Sequence, residues 1–399
     1  MWTLRACGAA GSAPAVLGAM AGAAGQVHAR RYATMAEPVR AAFAFCVQQV
    51  RQYDYLNYVW VSQASKELRP ALFALRAFNI ETGLVAEQVR SREAVVGQIR
   101  FQWWRDAVRA AFEGHPPAHP VAAALAHVLL HSQPPNAARA AAASAATAAA
   151  AKPGAGSGSR GGGGGCGSSC GGGGAASWGG GGGGGGGGGS DDGGGPGGGK
   201  GPSARFSRYS FKRIIDAREA DFVDPQPPLD LGALEQYAEA TASQLLYLQL
   251  AAAGIKDREA DHAASHLGRA AGIANLLRGT AAHAASRRCY LPVDLCAEAR
   301  VSQEDVYGAV VSEGLRDVVH KVASLAKGHL DEARRLAQRL PPGAAALMLQ
   351  SVGTDRYLTA LEAANFDPWD AALLREHGGG GAPLPYVLAV KWHQLRGTY

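Results

Sequence analysis

The sequence has few runs of strand-forming residues and no long apolar segment. Val, Ile and Thr rarely occur in series, whereas the good helix formers Ala, Leu, Arg, Gln and Glu dominate outside one glycine-rich stretch. No segment offers the roughly 18 uncharged apolar residues that a transmembrane helix needs. The composition therefore predicts an all-α protein without a membrane-spanning helix.

Several motifs that carry chemistry are missing as well. There is no Walker loop, no dinucleotide-binding fingerprint and no nucleophile elbow. The six cysteines show no framework spacing, which suits a reducing compartment, and we expect no metal site at Cys166 and Cys170. The net charge of +6 does not argue for nucleic-acid binding, because Arg5, Arg30 and Arg31 supply half of it.

The first 36 residues contain no Asp or Glu, although they carry spaced arginines. Acid-poor leaders of this kind are typical of organelle transit peptides. The sequence Arg30-Arg31-Tyr32-Ala33 looks like a mitochondrial processing site with cleavage after Tyr32, so we predict a mitochondrial transit peptide at 1–32. A plastid transit peptide and a secretory signal are the alternatives, but the arginines lie just before the cleavage point rather than ahead of an apolar core.

A low-complexity stretch interrupts the chain at 134–204. It begins as an alanine run and continues as Gly and Ser, a composition that behaves as a flexible coil. Neither flank looks self-sufficient, and loop closure grows only slowly more costly with length. We therefore predict a disordered insertion within one domain that is formed by 33–133 and 205–399.

Apolar periodicity predicts long helices on both sides of this insertion. One helix face consists of residues three and four apart: Leu72, Leu75, Phe78, Thr82, Val85 and Val89. Two further helices are expected before the insertion, at 95–112 and from His119-Pro120 through Leu130. After it we expect helices at 206–222, 231–253, 257–281, 303–312, 315–339, 343–365 and 384–395. These lengths favour long helices around a central space.

Five segments taken together resemble the squalene/phytoene synthase family: ELRPALFALRAFNIE (67–81), FQWWRDAVRAAFEGHPPAHPVAAAL (101–125), RIIDAREADF (213–222), YAEATASQLLYL (237–248) and LGRAAGIANLLR (267–278) with RRCYLP (287–292). They follow the family's order and cover most of the chain outside the leader and the insertion. The resemblance implies an isoprenoid-synthase-like single helical domain around a central cavity. Active members join two prenyl diphosphates head to head.

The resemblance also implies where Mg²⁺ should bind in an active member. Two aspartate-rich motifs on facing helices each place acids four residues apart, so that carboxylates project into the cavity. In this sequence the first pair falls at Gly83 and Glu87, and the second at Gly279 and His283. Glycine offers no side-chain ligand, histidine is a poor ligand for a hard cation, and Glu81 lies on another helix face. We therefore expect no catalytic residue, no metal and no cofactor.

Other polar residues persist around the expected pocket: Asn275, Arg278, Arg287, Arg288, Tyr290, Asp216 and Asp221. They suit an anionic head group, but ordinary rim ion pairs and packing are the interpretation that we favour. His262 and His266 have the spacing of a metal pair on a helix, yet no third ligand is evident, which favours a solvated face.

Within the family, three segments are similar to a mitochondrial branch that acts in the assembly of respiratory complex I, NADH:ubiquinone oxidoreductase: FALRAFNIE, IRFQWWRDAV and the C-terminal KWHQLRGTY. This similarity implies a non-catalytic factor on the matrix side of the inner membrane, peripheral to the bilayer. Its expected partners are complex I subunits or other assembly factors.

Two other functions remain open from the sequence. The first is an active prenyltransferase that uses Mg²⁺ with rearranged acids, namely Glu81, Glu87, Asp216 and Asp221. The second is an isoprenoid or lipid binding module that keeps the apolar cavity without a reaction.

Overall fold

The computed structural model describes residues 36–89, 94–131, 205–377 and 384–399. Within these ranges the chain is helical and has no β-strand, which confirms the all-α prediction. The predicted transit peptide (1–32) and the predicted insertion (134–204) lie outside the described residues. All described residues belong to one compact unit.

Five helices lie in the first part of the fold: α1 (Glu37–Tyr53), α2 (Tyr55–Gln63), α3 (Arg69–Gln88), α4 (Ala94–Glu113) and α5 (Pro120–His131). The second part contains the remaining described helices: α6 (Arg208–Val223), α7 (Leu231–Ala238), α8 (Gln244–Ala253), α9 (Arg258–Arg278), α10 (Thr280–Ala285), α11 (Val293–Glu298), α12 (Gln303–Tyr307), α13 (Glu313–Arg335), α14 (Gln350–Ala363), α15 (Ala371–His377) and α16 (Leu384–Arg396). A π-helical segment, Glu239–Ser243, joins α7 to α8, and short 3₁₀ turns, Leu336–Arg339 and Ala345–Leu347, lie between α13 and α14.

Helix α3 shows how the apolar pattern becomes structure. Pro70 lies in its first turn, where the missing N–H costs no helical hydrogen bond. The residues of the predicted apolar face are buried as far as Val85, while Val89 is half-buried just after the helix end. Another face of α3, which carries Gly83 and Glu87, borders the central cavity.

Helix α9 is the central helix of the second part, and it packs against α7, α13, α14 and the π segment. Two glycines allow the close approach to the preceding segment. A Cβ atom on Gly268 would lie 2.2 Å from the Ser243 Oγ, and one on Gly272 would lie 2.7 Å from the Ala238 Cβ. Only the absence of these side chains lets α9 pack directly on the π segment.

Some helix boundaries differ from the prediction. The helix expected at 257–281 ends at Arg278, and α10 begins after Gly279. The helix expected at 303–312 is α12, which ends at Tyr307 because Ala309 has a left-handed backbone with φ 54°. The segment expected to be helical from 343 becomes regular α-helix only at Gln350. The short helices α11 and α15 were not predicted.

No helix in the described ranges is both long and apolar enough to cross a lipid bilayer.

Candidate functional site

The helices enclose a cavity of about 460 Å³. Its walls come from α3, α6, α7, the π segment, α8, α9, α14 and α16, together with the turn between α1 and α2. The polar lining residues include Asp54, Arg76, Asn79, Glu87, Arg218, Tyr237, Thr241, Asn275, Arg278, Gln350, Thr354, Tyr357 and Tyr386. A central cavity is what the resemblance implied.

Four of the predicted pocket positions border this cavity, namely Gly83, Glu87, Asn275 and Arg278. The other eight are not among its lining residues: Glu81, Asp216, Asp221, Gly279, His283, Arg287, Arg288 and Tyr290. The structure therefore does not bring Gly279 and His283, which were expected to face the cavity, into its lining.

Beside Gly83, a cation occupies the space next to the position of the first lost acid. A Cβ atom on Gly83 would lie 3.6 Å from the guanidinium carbon of Arg218. The Arg218 Nη2 donates to the Asn79 Oδ1 at 2.7 Å, and the Arg218 Nη1 donates to the Asn79 carbonyl and to the Thr82 hydroxyl. Burial lowers the pKa of Arg218. The first motif thus faces an arginine from α6.

A second buried arginine spans the cavity wall between distant segments. The Arg76 Nη2 donates to the Gln350 Oε1 at 2.5 Å, and the Arg76 Nη1 lies 3.3 Å from the Asp54 Oδ2. The guanidinium also lies over the Trp60 ring, 5.2 Å from its centre. Burial lowers the pKa of Arg76, and the Asp54 carboxylate opposes that change. Asp54 is therefore already engaged, since it also accepts from the Asn57 amide at 2.7 Å.

At the second motif, His283 fills the space that Gly279 leaves. A Cβ atom on Gly279 would lie 2.5 Å from the His283 Cε1. On its other side the His283 ring meets the Tyr290 ring edge-on, with 4.7 Å between centroids. Burial lowers the pKa of His283 to about 4, and Arg288 adds to the effect. The imidazole is therefore neutral at physiological pH.

Asp221, Arg288 and Tyr290 form one cluster that ties α6 to the segment after α10. The Arg288 Nη1 lies 3.1 Å from the Asp221 Oδ2, and the Tyr290 hydroxyl donates to the same oxygen at 2.8 Å. The Arg288 Nη2 donates to the Asp221 carbonyl at 3.0 Å. One carboxylate oxygen of Asp221 is thus engaged by two side chains, as expected of a structural ion pair.

The remaining predicted acids and bases also point elsewhere. Asp216 accepts from the Arg105 Nη2 at 2.7 Å and from Lys212 at 2.5 Å, which links α6 to α4. Arg287 is exposed and pairs with Glu304. Glu81 lies near Cys46, and burial raises its pKa.

The chemistry of the cavity does not fit a Mg²⁺–diphosphate centre. Mg²⁺ prefers carboxylate oxygens in octahedral geometry. Among the described lining residues, only Asp54 and Glu87 carry carboxylates, whereas Arg76, Arg218 and Arg278 are cations. Helix α9, the expected site of the second motif, contributes Asn275 and Arg278 to the lining but no acid. No cluster of three or more metal-ligating side chains occurs within the described ranges.

In the structure, His329 of α13 lies next to the pair His262 and His266 that the sequence indicated. His266 lies 3.2 Å from His262 through their Nε2 atoms and 2.9 Å from His329 of α13 through their Nδ1 atoms. The three rings thus form a row rather than surrounding one point, and His329 also contacts Glu235. Burial lowers the pKa of His266 to about 4, and the neighbouring His329 and His262 add to the effect.

Sequence reasoning missed the residues that give the cavity its charge, namely Asp54, Arg76 and Arg218. A signal was present for Arg76, because residues 76, 80, 83 and 87 follow one another at helical spacing on α3. Arg218 lies in the family-like segment 213–222. The spacing of residues in that segment did not indicate that the Arg218 side chain would contact Asn79 of α3.

Comparison with known proteins agrees with the geometry. The chain matches the squalene/phytoene synthase family at residues 50–150 and 202–378. A relative from Bos taurus, named NADH dehydrogenase (ubiquinone) complex I, assembly factor 6, is 30% identical over 333 residues, which cover 84% of this chain and 78% of the relative.

Solved structures show the same fold at low identity. Squalene synthase HpnC from Alicyclobacillus acidocaldarius is similar with a TM-score of 0.57 and 18% identity, over 85% of this chain and 99% of that one. A dehydrosqualene synthase solved with a ligand gives a TM-score of 0.59 and 14% identity, over 90% of this chain and 100% of that one. The chain belongs to the squalene/phytoene synthase family, in the branch that contains the complex I assembly factor 6 relatives.

Proposed function

We propose that this protein is a non-catalytic assembly factor for mitochondrial respiratory complex I. The names of its similar curated relatives support the assembly role. The charge of the cavity supports the absence of catalysis. The single observation that carries the proposal is that Gly83, beside the Arg218 guanidinium, and Gly279 and His283 occupy motif positions where an active enzyme needs carboxylates.

The physical reason lies in the leaving group. A prenyl diphosphate ionises only when a metal ion takes up the charge that develops on the diphosphate. Glu87 alone offers an unengaged carboxylate on the described cavity wall, since Asp54 is held by Arg76 and Asn57. One carboxylate cannot organise the metal ions that this chemistry requires.

We propose a mitochondrial location on the matrix side of the inner membrane, with peripheral attachment. Complex I subunits or other assembly factors are the proposed partners. The acid-free leader supports import into the organelle.

Deleting the gene in its own organism tests the assembly role. We expect fully assembled complex I to fall severalfold on native gels, while the other respiratory complexes keep their level. The wild-type gene and a Glu87→Gln variant should both restore complex I, because no metal chemistry depends on that carboxylate. Normal complex I in the deletion strain would refute the assembly role, and failure of Glu87→Gln alone would refute its non-catalytic character.

A direct assay separates the proposal from the prenyltransferase alternative. Purified full-length protein is incubated with farnesyl or geranylgeranyl diphosphate and Mg²⁺, and products are followed by mass spectrometry. We expect the substrate to remain intact. Turnover that disappears in the Glu87→Gln variant would establish the enzyme instead.

The retained cavity favours a second candidate, an isoprenoid or lipid binding module. A volume of about 460 Å³ lined by apolar side chains and three arginines suits an anionic amphiphile. Native mass spectrometry of the purified protein is the test. A bound lipid that is lost in an Ala271→Trp variant, which fills the cavity, would support it, and a ligand-free mass would count against it.

A further inference from the structure

The C-terminal helix α16 exposes a continuous apolar strip. Leu384, Leu388, Trp392 and Leu395 are 70%, 61%, 55% and 74% exposed, respectively. An α-helix turns about 100° per residue, so these four side chains fall within an arc of about 80°. A strip of large apolar residues on one helix face is the mark of a surface that meets another apolar phase.

The opposite face of α16 holds the helix firmly on the protein. Tyr386 and Val390 are fully buried. The Tyr386 hydroxyl donates to the Leu56 carbonyl at 3.0 Å, and the Gln394 amide donates to the Gln63 carbonyl at 2.6 Å. Both contacts are to α2, so the apolar strip faces outward on a helix whose other side is packed.

Basic side chains flank the strip. By the same helical geometry, Lys391 lies about 20° beyond the Leu384 margin and Arg396 about 40° beyond the Trp392 margin. The Arg396 guanidinium stacks on the Trp392 ring, 4.1 Å from its centre. Both basic residues are exposed.

No acid on α16 itself or on α2 offsets these charges. Neither α16 nor its neighbour α2 contains Asp or Glu. Helix α14 carries Asp355, but Lys327 and Arg334 already engage its carboxylate. The outer face of α16 therefore combines apolar side chains with the positive charges of Lys391 and Arg396.

We propose that the outer face of α16 docks on the surface of an anionic lipid bilayer, with the helix axis parallel to the membrane. Leu384, Leu388 and Leu395 enter the boundary between head groups and acyl chains, and Trp392 lies at the interface, where aromatic rings are favoured. Lys391 and Arg396 meet lipid phosphates. This assignment rests on the peripheral membrane location proposed above and identifies the surface responsible for it.

The charge pattern also decides against a second copy as the occupant. A second copy docked through α16 would offer Lys391 and Arg396 no carboxylate, because α16 has no acid of its own. The 13-residue helix is also too short to span a bilayer, so it lies on the surface.

Vesicle flotation of the full chain tests the proposal. We expect binding to vesicles that contain phosphatidylglycerol or cardiolipin, weak binding to pure phosphatidylcholine, and a decrease at high salt. Leu388→Glu should weaken binding tenfold or more, about the effect of losing one buried leucine. Replacing both Lys391 and Arg396 with Gln should weaken it by about thirtyfold, roughly fivefold for each charge.

Helix α4 supplies a matched control, because Ile99 is 63% exposed there. Ile99→Glu should leave flotation unchanged, and all variants should keep the wild-type melting temperature, since the altered side chains are exposed. Equal binding by wild type and Leu388→Glu, or loss of binding only in Ile99→Glu, would overturn the assignment.

Rescue of the deletion strain separates lipid from protein as the occupant. If Leu388→Glu impairs complex I but floats like wild type, the face binds a protein and the lipid assignment is overturned. Normal complex I in the deletion strain would remove the assembly function, yet the flotation result would still stand on its own.

Discussion

At the residue scale, Gly279 and His283 act as a matched pair. The His283 ring occupies the volume that any side chain at 279 would need, and Tyr290 closes its other side. An acid at position 279 therefore collides with the His283 ring unless His283 is also replaced. Gly279 and His283 thus fit each other as a packed pair.

A double-mutant cycle tests this pairing. Gly279→Ala should lower the free energy of unfolding by about 1–3 kcal/mol, because the new Cβ forces the ring aside. In a His283→Ala background the same change should cost much less, which gives a coupling of about 0.5–3 kcal/mol. Urea denaturation of the four proteins measures it, and additive effects would contradict the pairing.

At Gly83, unlike Gly279, there is room for an added side chain. A Cβ there makes only ordinary contact with Arg218, so Gly83→Asp has room and gains a cationic neighbour. We expect the variant to be as stable as wild type or more stable by up to about 1 kcal/mol. Because the new carboxylate pairs with Arg218, its melting temperature should not depend on Mg²⁺. A rise with millimolar Mg²⁺ but not with NaCl of equal ionic strength would show that a metal site had been restored.

The sequence allowed prediction of the lost acids at this scale, but not of what replaced them. The resemblance to the squalene/phytoene synthase family placed the two acid motifs at Gly83, Glu87, Gly279 and His283. The partners of Asp216 and Asp221 lie on helices distant in sequence, and Arg105 and Arg288 reach them only because of tertiary packing. Long-range side-chain partners are not encoded in local periodicity.

At the scale of elements, the contact between α9 and the π segment depends on a missing side chain. Gly268 lies against the Ser243 Oγ and also against the Ser243 Cα, which would be 2.4 Å from an added Cβ. A backbone atom cannot move aside as a flexible side chain can, so the two elements would have to separate.

Gly268→Ala is therefore expected to destabilise the protein by 3 kcal/mol or more, by the order of magnitude of severe overpacking. Gly328→Ala is the control. Gly328 is an exposed position inside α13, and an added Cβ there meets nothing within 4 Å. Helix propensity alone should then raise stability by about 0.5–1 kcal/mol. Chemical denaturation of both variants compares them, and similar effects in the two would refute the steric explanation.

Element prediction worked where a helix is long and one face is apolar, as in α3 and α13. It failed where backbone detail decides, such as the π segment, which has the same apolar pattern as a continuous helix. It also failed for α11 and α15, which have six and seven residues and are too short for periodicity to show. The apolar pattern also did not distinguish Trp103, which is 39% exposed, from its buried neighbour Trp104.

At the scale of the whole molecule, the order of family segments predicted a single helical fold around a cavity, and the structure and the comparisons confirm it. The sequence did not predict the exposed strip on α16, because the packing of the other helices decides which face of a helix stays exposed to solvent. The leader and the insertion stay predictions, since they lie outside the described residues.

Stability of the whole molecule should depend on pH through two neutral histidines. The pKa values of His266 and His283 are lowered from 6.5 to about 4, so the unfolded chain binds protons that the folded one does not. The contribution of these two groups to the free energy of unfolding is therefore fully present above about pH 6.5. It falls as the pH drops toward 4, by no more than about 1.4 kcal/mol per pH unit for each group. Both rings are only partly buried, which makes the effect smaller.

Urea unfolding between pH 7.5 and pH 5 measures this slope, with the pH range set by the two histidine pKa values of about 4 and 6.5. A His266→Gln/His283→Gln double variant should unfold with a shallower pH dependence, because glutamine binds no proton in either state. His115→Gln, at an exposed position just after α4, is the control and should keep the wild-type slope. Carboxylates titrate in both variants alike, so only the difference between them reports the buried imidazoles. If the double variant and the control show the same slope, His266 and His283 are charged in the folded protein and their pKa values are not lowered by burial.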